Sequence, residues 1–407
     1  MESPVSIHRF NVPLLILAQA CFLASSMTNI AFGGLAGGML AADPAWATLP
    51  VSLTVVSTAL VTGRLSGLMQ RTSRQYGFRI GAFSGLAGAL LAMLAIYLRD
   101  YWLLCLSSLL FGPFNASAQY YRFAASESVT PAEAPRAMSY VMLGGIAAAF
   151  VVPAATSWLN DALMPYSFLG AYLFIVIVTL LVQVPIGLMK PVEATVAGHE
   201  SGDGEARPLG AIVRTSGFIA AFVNCATGYA MMSFVMTATP LAMESCGLLP
   251  GQSATVIQGH VVAMFLPSLF TGRLIERFGV TGILFAGHAF FVAAFLLALE
   301  GIEVYNFSLA LIALGIGWNF CFIGGSSLLT HVHRPSEKGR VQGLNETMVF
   351  TVTAVASLGA GIALNTIGWA GMNMLTFGLL AVAFAATLYH ALKRTKPSET
   401  DPSCCSS

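Results

Sequence analysis

The chain reads GPFNASAQYYRFAASESVTPAEAPRAM over residues 112–138 and GIGWNFCFIGGSSLLTHVHRPSEKGRVQ over residues 315–342. At a constant offset of 204, Asn115 meets Asn319, Pro131 meets Pro335, Glu133 meets Glu337 and Arg136 meets Arg340. Each stretch closes an apolar run, crosses a polar turn and carries P-x-E-x-x-R into the next apolar run. Polar residues that align at equivalent places in two distant segments argue for an internal duplication. The residue types fit a helix start. Proline restricts the residue before it and begins the turn. A glutamate in the first turn favours the positive helix end, and an arginine there pairs with it or with lipid phosphate. Glu133, Arg136, Glu337 and Arg340 therefore read either as caps with interfacial anchors or as gate charges.

The rest of the chain belongs to a membrane. Of 407 residues, 56% are hydrophobic and 9% charged, against roughly 25% charged in soluble domains. Lipid must be the solvent for most of the exterior. A formal net charge of +1 indicates no nucleic-acid partner. Twelve apolar stretches reach spanning length, about 20 residues: 12–38, 47–68, 80–98, 102–123, 137–158, 166–188, 214–241, 252–275, 280–299, 304–330, 340–364 and 369–391. With a cytoplasmic N-terminus and strict alternation, 18 of the 19 basic residues fall on the cytoplasmic side, and only Arg99 falls outside. By the positive-inside rule both termini are cytoplasmic. The longest polar break, KPVEATVAGHESGDGEARPLG at 190–210, reads as a linker. The expected organisation is an all-α membrane protein of two pseudo-symmetric six-helix bundles. They are an N-terminal bundle at 1–189, a linker at 190–213, a C-terminal bundle at 214–393 and a tail at 394–407 that ends with a Cys404-Cys405 pair.

The loops after spans two and eight add a second signal. The later one reads G-R-L-I-E-R-F-G from Gly272 to Gly279, through Glu276 and Arg277. It resembles the short cytoplasmic signature G-x-L-x-D-R-x-G-R of the major facilitator superfamily, with glutamate for aspartate and no final arginine. In the same frame the first half offers Ser66, Leu68, Gln70, Arg71, Ser73 and Arg74, without the leading glycine and the acid. Glu276 and Arg277 thus carry the signature's charge role better than Gln70 and Arg71. The tetrapeptide TGRL occurs at Thr62–Leu65 and again at Thr271–Leu274, but the signature frame pairs Ser66, not Gly63, with Gly272. The identity is a coincidence slipped by three residues. Arg64 then pairs with Phe270 and becomes an unmatched arginine inside span two. The resemblance covers the whole chain and implies a solute site near the membrane midplane between the halves, with alternating access by rocking. It also implies residence in a bacterial inner membrane as a monomer.

Intramembrane polar groups are costly and face the interior when present. Arg122 lies in the most polar face of the first half, with Asn115 and Gln119 one turn apart on span four. It can meet an anionic group of a solute or snorkel to water. His260 in span eight can relay a proton or make a structural hydrogen bond. Asn29, Asn224, Trp318 and Asn319 complete an expected solute cavity. Glu346 in span eleven either takes a proton during the cycle or pairs with a gate arginine. Arg64, Arg71, Glu276, Arg277 and Glu346 join the four loop charges as gating or coupling candidates.

The leading function is secondary active transport of a small organic solute, with protons as a candidate coupling ion. No Walker-type loop is present to use ATP directly. Some members of the superfamily import riboflavin or siderophores, and no residue here reads out either solute. A membrane enzyme would need clustered acid, base or nucleophile groups, which this chain spreads over separate helices. A sensor or scaffold would leave the paired loops unexplained.

Overall fold

A computed structural model describes residues 8–43, 46, 49–164, 166, 168–190 and 206–395. Residues 191–205 of the expected linker and 396–407 of the tail, with the cysteine pair, lie outside the described residues. Fifteen α-helices follow in order: α1 Asn11–Leu40, α2 Leu49–Arg71, α3 Arg74–Leu98, α4 Tyr101–Ala118, α5 Tyr121–Glu127, α6 Ala134–Met142, α7 Gly144–Ala162, α8 Leu169–Leu181, α9 Gln183–Leu188, α10 Leu209–Val213, α11 Ser216–Ser245, α12 Pro250–Phe265, α13 Ser268–Glu300, α14 Val304–Thr330 and α15 Lys338–Thr395.

Local chemistry sets these limits. Ser73, Asp100 and Thr215 cap α3, α4 and α11, accepting from the backbone N–H of Tyr76, Leu103 and Phe218 respectively. Among the described residues nine stretches are long and apolar enough to cross a membrane, and two of these are far too long for one crossing. Thr255–Glu300 has 46 residues and Pro335–Lys393 has 59. At about 1.5 Å per residue both greatly exceed a hydrocarbon core of about 30 Å. Each turns back on itself at one glycine, Gly279 with φ 76° and Gly368 with φ 68°. A side chain is strained in that left-handed region and glycine is not. Both turns fall between the apolar runs read from the sequence. Counting them, and the more polar α4 with α5, the helices make twelve crossings.

Some crossings break where the sequence shows a single run. Pro267 follows α12 and Pro185 lies just inside α9. Each removes a backbone donor and crowds the carbonyl four residues earlier, which ends the preceding helix. The broken crossings α4–α5 and α6–α7 place their shorter pieces toward the face that carries His8 and Thr395, hereafter the terminal face.

The hydrogen bonds and ion pairs that join the two halves gather at this terminal face. α2 lies along α15, where Ser66 Oγ donates to the Gly339 carbonyl at 2.7 Å and Gln70 Nε2 to the Ser336 carbonyl at 2.7 Å. α6 lies against α13, where Ser139 Oγ donates to the Ser268 carbonyl at 2.6 Å and accepts from Gly272 N–H at 3.2 Å. Farther from that face Leu23 and Met27 of α1, Asn115 of α4 and Gln119 just after it, Ile146 of α7, Phe222 and Tyr229 of α11 and Phe350 of α15 are only half-buried. The protein is closed at the terminal face, and its halves stand less tightly packed beyond it.

Candidate functional site

The centre of the closed region is a buried ion pair. Arg122 on α5 donates from Nη2 to Glu346 Oε1 on α15 at 2.7 Å, and the two side chains are 3% and 0% exposed. Arg122 Nε donates to Ser326 Oγ on α14 at 3.0 Å, and Nη1 to the Gln119 carbonyl at 2.5 Å. The guanidinium carbon lies over the rings of Phe123 and Phe322, 4.4 and 4.2 Å from their centroids. The cation is hydrogen-bonded through its N–H groups and held against two π faces, an environment a lysine would not reproduce. Asn345 Nδ2 also donates to Glu346 Oε1, at 2.9 Å. Both donors converge on one oxygen, and Glu346 Oε2 and Asn345 Oδ1 stay buried without a partner.

The contact of Arg122 with Ser326 locates the symmetry of the molecule. These two positions are 204 residues apart, the offset that pairs the duplicated loops. Residues related by a two-fold axis touch only where the axis runs between them. The Arg122–Glu346 pair therefore sits beside the pseudo-two-fold axis and ties the first half to the second.

A second charge cluster lies nearer the terminal face. Arg74 holds Glu127 through two hydrogen bonds of 3.2 and 2.7 Å and donates to Gln342 Oε1 at 2.6 Å. Lys338 Nζ reaches Glu127 Oε2, the oxygen that Arg74 Nε also holds, at 3.2 Å. His333 Nε2 lies 3.4 Å from Gln342 Nε2. Burial acts to raise the pKa of Glu127, but the charges of Arg74 and Lys338 outweigh it and bring the carboxyl down to about 2. Burial lowers the imidazole of His333 to about 4.

Both shifts tie the stability of the closed face to pH with the same sign. The depressed Glu127 stabilises fully above its ordinary value of 4.5, and its contribution fades as pH falls toward about 2. His333 stabilises as the neutral ring above its ordinary 6.5, and its contribution fades as pH falls toward about 4. The thermal midpoint of detergent-solubilised protein should therefore drop between pH 6.5 and 4, and His333→Gln should flatten that limb. An unchanged limb in the variant would contradict the assignment.

The other candidates divide into those at the seam and those within one half. Arg136 pairs with Glu276 across the seam. Glu133 instead binds Arg9 at 2.9 Å and Thr130 Oγ1 at 2.9 Å, within the first half. Glu337 binds Arg207 through 2.9 and 2.7 Å contacts and accepts from the Arg334 N–H, which fastens the linker's end to the second half. Arg64 lies on the exposed face of α2 and donates to the Leu60 carbonyl at 3.2 Å. Leu60 is itself 64% exposed, so this arginine faces away from the seam. Arg71 and Arg340 are exposed as well, and Arg277 lies exposed over the ring of its neighbour Phe278.

Of the expected cavity residues, Asn115 and Gln119 are half-buried, and Gln119 accepts from Arg122 through its carbonyl. Asn29 is buried against Thr54 at 3.5 Å. Three others are placed inside the second half. Asn224 joins α11 to Thr387 and His288, at 2.8 Å each. Asn319 donates to the Met264 carbonyl and to Ser268 Oγ, and accepts from Thr271 Oγ1. His260 Nδ1 lies 2.7 Å from the Leu311 carbonyl. Their depth in the sequence resembles that of cavity residues, but their partners make them seams between helices of one half. Losing such buried hydrogen bonds costs about 1–3 kcal/mol for each stranded group. Asn224→Leu should thus lower the unfolding midpoint while transport per folded molecule is kept; lost transport at normal stability would place Asn224 on the solute path instead.

Trp318 is 1% exposed and stacks on Phe322 at 5.1 Å, with Tyr229 and Phe265 edge-on at 5.3 and 5.8 Å. Tyr229 also meets Phe350 at 5.6 Å. Sequence reading did not single out Tyr229, Phe350, Glu127, Lys338 or Gln342. Arg74 had a signal, since it occupies the final-arginine place of the loop signature. Tyr229 and Phe350 had none, because one aromatic residue among many in apolar helices carries no mark of its neighbours. A cavity of about 710 Å³ also opens at the terminal face, between Pro131 and Pro135 of the first half and Glu276, His331 and His390 of the second.

Comparison with known proteins agrees with this architecture. A sequence profile of the Major Facilitator Superfamily matches residues 221–403, the half in which the loop signature is better kept. The riboflavin transporter RfnT of Brucella anthropi is 38% identical over 392 residues, covering 96% of each chain. YdeG of Bacillus subtilis, named as an uncharacterised MFS-type transporter, is 27% identical and is covered over 90% of its length, with 93% of this chain. The structure of the transporter FucP in its outward conformation superposes with a TM-score of 0.72 at 16% identity, over 93% of this chain and 98% of that one. Twelve crossings, the duplicated loops and a full-length relative at this identity agree: the chain belongs to the Major Facilitator Superfamily.

Proposed function

We propose that this protein carries riboflavin, or a closely related flavin, across the cytoplasmic membrane, with the solute bound between the halves. The chain is a multi-pass transporter that works by alternating access. Full-length similarity to a riboflavin transporter supports the flavin reading. The carrying observation in the molecule is the aromatic group of Tyr229, Phe350, Trp318 and Phe322 set next to the Arg122–Glu346 pair. Stacked or edge-on rings suit a flat conjugated solute, and the half-buried Asn115 and Gln119 suit its hydroxyl-bearing side chain.

In this reading the first half is 1–189 and the second 214–393, joined by the segment 190–213, with a tail at 394–407. Both termini are cytoplasmic, so the terminal face is the inner one and the structure is closed to the cytoplasm. The 710 Å³ cavity at that face marks where the inner opening widens when the halves rock. Arg136 and Glu276 with the Arg74 cluster close the gate, and Arg122 with Glu346 closes it at the axis. Glu346 takes up a proton when its pair with Arg122 separates, which couples uptake to the proton gradient. The protein acts as a carrier and not as an enzyme, and it works as a monomer.

Riboflavin fluorescence tests the solute assignment. Titration of purified protein should quench the flavin saturably, with competition by unlabelled flavin and not by sugars. Absence of saturable quenching would refute it. Proton coupling predicts that collapsing the pH gradient across vesicles abolishes accumulation against a flavin gradient while exchange persists.

A further inference from the structure

Three buried polar atoms in one neighbourhood have no partner in the fold: Glu346 Oε2, Asn345 Oδ1 and Trp318 Nε1. The first two accept hydrogen bonds and the third donates. An unmade hydrogen bond at a buried group is costly, and native folds keep few of them. Neighbouring groups do not account for these three. Glu346 Oε1 takes both available donors, Arg122 and Asn345 Nδ2, and leaves Oε2 bare. Trp318 is packed by rings on several sides, and rings offer its indole N–H no lone pair.

Rings connect the three atoms. Tyr229 touches Trp318, Phe322 and Phe350, and Phe350 lies one helical turn after Glu346 on α15. Tyr229 and Phe350 are half-buried, whereas Asn345, Glu346 and Trp318 are almost fully buried. The two half-buried rings are thus the more accessible members of this group.

We propose that Asn345, Glu346 and Trp318 are specificity-determining residues that read one polar edge of a planar heterocycle, an N–H flanked by carbonyls. The acceptors of Asn345 and Glu346 take the N–H, the indole N–H meets a carbonyl, and Tyr229 and Phe350 shift to hold the ring faces. In a flavin this edge is the imide of the pyrimidine ring. The proposal rests on the flavin reading above and adds which end of the ring system is recognised. The other oxygen of the same carboxylate holds Arg122 in the pair that closes the axis, so recognition and the closed face share one side chain.

Analogues test the edge without altering the protein. Riboflavin, 3-methylriboflavin and a riboflavin lacking the two benzene-ring methyl groups are compared as inhibitors of labelled riboflavin uptake into vesicles holding the wild-type protein. Methylation at the imide nitrogen should weaken inhibition by at least about tenfold, as expected for a lost hydrogen bond to a site built for it. Removal of the distant methyls should change it far less. Asn345→Leu should lower riboflavin affinity and shrink the gap between riboflavin and its imide-methylated form, which a purely structural role would not do. Equal inhibition by riboflavin and 3-methylriboflavin would overturn the edge assignment and leave the flavin reading intact. Absence of riboflavin uptake altogether would overturn the flavin reading itself.

Discussion

Glu346→Ala will reduce transport to background and destabilise the protein by about 3–5 kcal/mol, the usual cost of stranding one member of a buried ion pair. The reason lies in what remains. Arg122 is 3% exposed and packed against the rings of Phe123 and Phe322, away from water. Without the carboxylate its charge is buried with only neutral oxygens near it. Removing both charges has a different outcome. The double variant Arg122→Met, Glu346→Leu should regain most or all of the lost stability, because apolar groups of similar size often replace a buried pair without penalty. It should not regain transport, since the switch beside the axis is gone. Melting curves and vesicle uptake on the three proteins separate these effects. Stability and transport recovering together in the double variant would show that the pair only fills space.

Gly272→Val will open the terminal face. A Cβ on Gly272 would lie 2.5 Å from the Cα of Arg136 and 2.8 Å from the carbonyl oxygen of Pro135. These are backbone atoms of the opposite half, which cannot turn aside as a flexible side chain would. Overpacking of this kind costs roughly 1–3 kcal/mol. Since about 1.4 kcal/mol is a factor of ten, the closed form should lose roughly five- to 150-fold in population. Spin labels at Ala132 and Phe278, both exposed at this face on opposite halves, should show a longer mean distance in the variant. An unchanged distance distribution would mean that the seam relaxes around the side chain and does not set the conformation.

Much of the fold was legible because its signals repeat. Apolar runs placed the twelve crossings, and both glycine turns, Gly279 and Gly368, fall between runs. The 204-residue offset did more than support duplication. The same offset pairs Arg122 with Ser326, and the structure puts these two in contact. The site was harder to read. Depth along a helix is visible in a sequence, but direction around it is weakly visible when every face is apolar. Asn224, Asn319 and His260 have suitable depth, yet they satisfy neighbours inside one half. Glu346 was read as either a proton carrier or a partner of a gate arginine, and its arginine proved to be Arg122, 224 residues away. The link between Arg74, Glu127 and Lys338 was hidden for a similar reason: it joins three helix ends distant in sequence, two in the first half and one in the second.

Counterflow tests the central claim most directly. Vesicles containing the purified protein are loaded with unlabelled riboflavin and diluted into a trace of labelled riboflavin. A carrier that binds flavin between its halves and rocks around Arg122 and Glu346 should accumulate label transiently and saturably. It should do so only when the lumen is loaded, and Glu346→Ala should abolish the signal. Label entry that ignores the lumenal flavin, or that persists in Glu346→Ala, would contradict the account.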